Sequence, residues 1–168
     1  MLVSARVVTL RLAETFVISR EAQDTAEVVH VELEHDGVRG FGEAAPIARY
    51  DESAASARAY VDEHADLLGD DSFALDEIFD RLPPREYAAR AALDAALHDL
   101  QGRLTGEPVW RLLGLRRAGP PTSWTIWLGD PDDMARRAER VHTRFDRSIR
   151  AHRTPALGFV RFEPGRPK

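Results

Sequence analysis

Residues 86–115, EYAARAALDAALHDLQGRLTGEPVWRLLGL, carry the reading of the whole chain. Ala88, Ala91, Ala92, Ala95, Ala96 and Leu100 recur at helical spacing, which predicts a helix with an apolar stripe. Alanines on a stripe let a neighbouring backbone come close, so this helix is expected to be buried on more than one side. Gly106 stops it, Pro108 suits the first turn of a short helix over 109–113, and Gly114 closes that helix.

Everything before this stretch is patterned to pack on it. Val8, Leu10 and Leu12 alternate with polar residues as a half-buried strand does, and Val3, Ala5 and Val7 extend the run on the other face. Residues 14–24 read as a polar loop with Phe16, Val17 and Ile18 embedded in it. A second strand covers 26–35, with Val29, Val31 and Leu33 on one face. Asp36-Gly37 is a hairpin turn, because both residues tolerate positive φ. The returning strand, 38–44, contains Gly40 and Gly42, which predict close backbone approach or a bulge. Asp51 or Ser53 is placed to cap a helix running to about Leu68, and Ser72 to cap a shorter one ended by Pro83-Pro84. Residues 1–115 therefore read as an α+β domain, a three-stranded antiparallel meander followed by a helical bundle.

After Gly119-Pro120-Pro121 the pattern changes. Residues 122–128, TSWTIWL, read as a short strand buried on both faces, as in a parallel sheet or barrel. Asp130-Pro131 opens a helix, with Asp132 and Asp133 at the positive end of its dipole. Met134, Ala135, Ala138, Val141 and Phe145 continue one helical face. A strand followed at once by a helix opens a β/α unit, and a further strand should follow. Only a weak run, 159–162, stands there among arginines and prolines.

The chain has 168 residues, 43% hydrophobic and 30% charged, enough for a domain with a real core. It has no cysteine, which excludes disulfides and thiolate metal sites. No apolar run approaches the roughly 18 residues of a membrane span, and the N-terminus has no signal-peptide layout. These features predict a cytoplasmic protein. The net charge of −5 hides an asymmetry, since residues 140–168 carry eight basic and two acidic residues. Lys168 is the only lysine in the chain.

Four pieces of sequence carry a family resemblance: GVRGFGEAAP (37–46), YDES (50–53), ARAALDAALHDLQGRLTGEPVWRLLG (89–114) and TSWTIWLGDPDDMARRAERV (122–141). In this order and spacing they resemble the enolase superfamily, in its mandelate racemase and muconate lactonizing branch, and most of all its dipeptide epimerases of the Ala-Glu type. The resemblance implies an enolase-like N-terminal capping domain over 1–115. A linker with the first strand and helix of a TIM-type barrel follows over 116–145. The barrel is incomplete, and an Arg/Pro-rich tail over 146–168 is expected to be disordered. The implied chemistry is racemisation or epimerisation by proton abstraction next to a carboxylate, with Mg2+ stabilising the enediolate. A small carboxylate or dipeptide is the implied substrate. Cycloisomerases and dehydratases of the same superfamily are the alternative.

In the family the acid and base are a Lys-x-Lys on the second barrel strand and a Lys on the sixth, and the metal ligands are acidic residues on the third to fifth. None of these has a counterpart here. Where the Lys-x-Lys belongs, the sequence reads RSIRAHRTPALG, and arginine stays protonated and makes a poor base. No catalytic residue, metal ligand or Mg2+ site is therefore assigned to this chain, which is expected to be inactive alone. The charge reversal after about Val141 reads as an out-of-frame or truncated ending.

The resemblance also implies two capping loops that cover the barrel mouth. It nominates Phe16 and Ile18 as an apolar lid wall, Arg20 as a partner for a substrate carboxylate, Tyr50 on the second loop, and Thr125 on the first barrel strand. Glu43 is expected to hold a structural hydrogen bond. The six histidines are scattered without metal spacing. Neither nucleic acid nor membrane is an expected partner, whereas the barrel strand, lacking neighbours, is a candidate for self-association.

Overall fold

The computed structural model describes residues 1–18, 21–119, 124–145, 149–153 and 159–164. Its contacts divide the chain into two units, 1–11 with 25–117, and 12–24 with 118–168.

The first unit is built on the meander. Strands β1 (Leu2–Ile18), β2 (Glu21–His35) and β3 (Val38–Ala44) pair in the order β1-β2-β3. Asp36 and Gly37 make the β2–β3 turn at φ 51° and 74°, the left-handed pair that a two-residue hairpin needs. His35 then faces Val38, and the register runs on to Val29 opposite Ala44. Alternation places Val29, Val31 and Leu33 on the core face, each fully buried, with Val3 and Ala5 of β1 packed beside them. Both strands of the first hairpin run further than the sequence suggests. β1 continues through Phe16, Val17 and Ile18, and β2 starts at Glu21 rather than Ala26. Thr15 Oγ1 donates to Asp24 Oδ1 at 2.6 Å, so polar residues that resemble a loop cross-link two strands.

The helices cover the inner face of the sheet. Helix α1 (Ala54–His64) starts at Ser53, which forms a capping box with Ser56, and buries Ala57, Tyr60, Val61 and His64. Helix α2 (Leu75–Arg81) is not capped by Ser72 as predicted. Ser72 is buried, and its carbonyl accepts from Gln101 Nε2 at 2.5 Å. The buried polar side chain that this bond satisfies is that of Gln101. Helix α3 (Tyr87–Thr105) ends at Gly106, at φ 71°, and the short α4 (Val109–Leu112) follows.

The buried face of α3 is rotated from the predicted stripe. Ala89, Ala92, Leu93, Ala96, Leu97, Leu100 and Gln101 are buried, while Ala91 and Ala95 are exposed. Leu93 and Leu97 have more apolar area to remove from water than any alanine, and they set the face. Ala92 and Ala96 then lie against Gly42 and Gly40 of β3, where any Cβ would meet their carbonyl oxygens. This is the close approach that the two strand glycines predict. β3 is an edge strand, and its Phe41 N–H is met by Asp99 Oδ2 of α3 at 2.9 Å, which satisfies a donor that the ladder leaves free.

Residue 1 is tied down too. The Met1 ammonium donates to the Gly69 carbonyl at 2.8 Å and to Asp70 Oδ1 at 2.9 Å. That hydrogen bond first, and then the ammonium charge, hold the Asp70 carboxyl below its ordinary range.

The second unit contains β4 (Trp124–Thr125), α5 (Pro131–Phe145), β5 (Ile149–Arg153) and β6 (Phe159–Pro164). Asp130 opens α5 as expected, its Oδ1 accepting from Asp132 N at 2.9 Å. The strands lie in the order β4-β6-β5, with β6 antiparallel to both neighbours. β4 and β5, joined through α5, thus run parallel to each other as a β/α unit requires, but β6 lies between them. Within the tail 146–168 the described residues are those of β5 and β6, and β6 contains the weak 159–162 run. Among the described residues no helix is long and apolar enough to cross a membrane.

Candidate functional site

Two places in the fold hold the residues nominated from sequence, one in each unit. The first is the end of β1. Glu14, Phe16 and Ile18 share one face of that strand by alternation. Phe16 is half-buried and Ile18 is 38% exposed. The Phe16 ring lies 6.0 Å from the Trp127 ring, tilted by 56°, within the range of a favourable aromatic pair. Val17 accepts a backbone hydrogen bond from Leu128 N at 2.8 Å. From α5, Arg137 stacks its guanidinium over Trp127, 4.3 Å from the ring centre, and donates through Nη2 to Glu14 Oε2 at 2.8 Å. A groove of about 450 Å³ opens beside this pair, lined by Glu14, Asp133, Arg136, Arg137, Glu139 and Arg140. Ile126 is buried. Thr125 lies in β4, but its side chain falls outside the described residues, as Arg20 does altogether.

The second place is the segment between β3 and α1. Ile47 leads into a single helical turn, Ala48–Tyr50, and Asp51 ends it in the left-handed region at φ 59°. Tyr50 projects from this turn and is 68% exposed. Glu52 reaches the start of α3, its Oε1 accepting from Tyr87 N at 2.5 Å and its Oε2 from Ala88 N at 3.3 Å. Glu86 adopts φ 52° and gives α3 no side-chain cap of its own. Its carboxylate instead accepts from Ser56 Oγ at 3.0 Å. Glu52 therefore supplies, from 35 residues away, the anion that a helix N-terminus attracts. The loop carrying Tyr50 is fixed on the starts of α1 and α3 together.

Glu43 has the structural partner expected of it. His30 Nε2 donates to Glu43 Oε2 at 3.1 Å, and Arg6 Nη2 donates to His30 Nδ1 at 3.4 Å. Arginine only donates, so His30 Nδ1 must accept, which fixes the proton on Nε2. This Arg-His-Glu row crosses all three strands of the meander. Among the described residues no three His, Asp or Glu side chains converge as a metal site.

Sequence reading picked out Phe16, Ile18 and Tyr50 but missed Glu14, Glu52, Trp127 and Arg137 as the residues that hold them. Glu14 and Phe16, two apart on a strand, were one available signal of a common face. Nothing local ties Glu14 to Arg137, which lies 123 residues away.

Residues 2–114 match the family described as mandelate racemase / muconate lactonizing enzyme, N-terminal domain. Among curated proteins, the L-Ala-D/L-Glu epimerase of Escherichia coli is 39% identical over 127 residues, covering 75% of this chain and 39% of that protein. The L-Ala-D/L-Glu epimerase of Bacteroides thetaiotaomicron is 35% identical over 127 residues, covering 73% of this chain and 33% of its own length. Among solved structures, a dipeptide epimerase of Enterococcus faecalis, complexed with Mg and the dipeptide L-Leu-L-Tyr, superimposes with a TM-score of 0.73 at 28% identity. That match covers 86% of this chain and 43% of the neighbour. The chain thus spans between a third and a little over two fifths of the length of these relatives.

Proposed function

The chain belongs to the mandelate racemase / muconate lactonizing enzyme family through its N-terminal domain, and from that premise we propose that it is the substrate-capping part of a dipeptide epimerase. The observation that carries this reading is the exposure of Ile18 at the end of β1 and of Tyr50 in the turn before α1, in a chain whose relatives are dipeptide epimerases. Phe16 and Ile18 offer an apolar wall to a substrate side chain. Arg20 is proposed to supply a planar cation for a substrate carboxylate, Tyr50 an exposed aromatic ring from the segment between β3 and α1, and Thr125 a hydroxyl from the first barrel strand.

The family reaction exchanges the proton next to a carboxylate, and the Enterococcus faecalis neighbour is complexed with Mg and a dipeptide. In this reading the chain supplies no ligand to that metal. Nor does it offer a lysine base, with Lys168 its one lysine. Its own residues bind and cover; they do not abstract a proton. We therefore propose that the 168-residue chain is non-catalytic alone.

Incubating the purified chain with Mg2+ and L-Ala-L-Glu in D2O, and following the α-proton by NMR, tests this directly. No exchange above the protein-free control is expected. Exchange that requires the chain and is abolished by EDTA overturns the non-catalytic reading.

A further inference from the structure

Glu14, Phe16, Val17, Trp127, Leu128 and Arg137 form one connected cluster, and the lid reading leaves half of it unused. We propose that Arg137 is a positioning residue, a clamp from α5 that fixes the end of β1 and with it the orientation of Phe16 and Ile18. The inference rests on the proposed role of that strand end as a substrate lid, and it adds the device that holds the lid in place.

Three contacts make the clamp. The Arg137 side chain is only 18% exposed, and its Nη2 meets Glu14 at 2.8 Å. Its guanidinium face lies on Trp127, which in turn meets Phe16. The backbone bond from Leu128 to Val17 then fixes the height of the strand end. One guanidinium therefore grips two residues of the same strand face, Glu14 by charge and Phe16 through an intervening ring. The stack is shielded by the burial of Arg137, while the pair itself is open to solvent on the Glu14 side, where the side chain is 47% exposed.

The other arginine nitrogen sharpens the argument. Nη1 is buried with no hydrogen-bond partner, and it packs against Gly129, where a Cβ would come within 3.8 Å of it. A buried donor without an acceptor is costly. The side chain is held in this position despite that cost, by Glu14 on one side and Trp127 on the other. Lysine cannot replace it, since a point charge on a flexible stem neither stacks flat on the indole nor reaches Glu14 from the same plane.

Hydrogen–deuterium exchange of the 168-residue chain tests the clamp without reference to any dipeptide, so its outcome is separable from that of the exchange assay above. In Arg137→Ala, amides over 12–18 and at Leu128 are expected to exchange about tenfold faster, while those of 28–44 and 87–105 are unchanged. Arg137→Lys is expected to recover less than half of the protection. Glu14→Gln leaves the sequence of α5 intact and removes only the charge on the strand; it is expected to loosen 12–18 with no change over 131–145. Unchanged exchange over 12–18 in Glu14→Gln overturns the proposal, whatever Arg137→Ala does. So does full protection in Arg137→Lys, which would show that any long cation serves.

Discussion

Gly42 of β3 lies directly against the carbonyl of Ala92 in α3, so that a methyl group on the glycine would overlap the oxygen. Gly40 repeats the contact one helical turn along, where a Cβ would also come within 2.6 Å of Leu100 Cβ. The obstacle at Gly42 is helix backbone, which cannot swing aside as a long side chain does. Gly42→Ala is therefore expected to cost about 3 kcal/mol or more, at the upper end of overpacking effects. Gly37→Ala, in open space but at φ 74°, is expected to cost about 1 kcal/mol. Urea denaturation followed by circular dichroism ranks the two, and equal losses would show that α3 can move away from the sheet.

Glu52 is the N-terminal cap of α3 in all but sequence position. Replacing it by alanine strips two N–H groups at the start of the helix of their acceptor, and the expected loss is about 1–2 kcal/mol. Glu52→Gln keeps the acceptor and loses the charge, and should fall between the two. A loss equal to that of alanine would mean that the carboxylate charge is the whole effect.

The strands and helices are legible where one residue decides an element: the turn at Asp36-Gly37, the cap at Ser53, the stop at Gly106. They are less legible where several residues compete. With alanines at 88, 89, 91, 92, 95 and 96, nearly any face of α3 is apolar. The packing of Leu93 and Leu97, a tertiary matter, selects the buried one. The proposed lid residues Phe16 and Ile18 stand out as apolar side chains in a polar stretch. Their supports do not, because Arg137 and Trp127 come from the far end of the chain and resemble an ordinary surface helix and a core strand.

Asp70 gives the fold a small dependence on pH. Its carboxyl is held below the ordinary value of about 3.9 by the Met1 ammonium. A depressed folded-state value contributes stability that is present above the unfolded value and is lost as pH falls through the folded one. Asp70 is almost fully exposed, so solvent keeps the contribution small. The urea midpoints of the parent and Asp70→Asn should differ at neutral pH and converge in acid. Carboxyl NMR should show Asp70 titrating below a solvent-exposed aspartate, and titration at or above the ordinary value would exclude the ammonium as its partner.

Tyr50 and Glu52 sit two residues apart in one loop and divide its work. Glu52 is consumed in holding the loop to α3. Tyr50 is 68% exposed and stands clear of the core. A side chain placed to meet a ligand need not contribute to the fold, and functional sites commonly carry such residues on loops fixed by a rigid scaffold. Tyr50→Ala is accordingly expected to change stability by less than about 0.5 kcal/mol, the usual range for surface substitutions. Measured side by side with Glu52→Ala, it should leave the urea midpoint unmoved while the neighbour lowers it. A loss in Tyr50→Ala as large as that in Glu52→Ala would assign the ring to packing and count against its proposed place toward substrate.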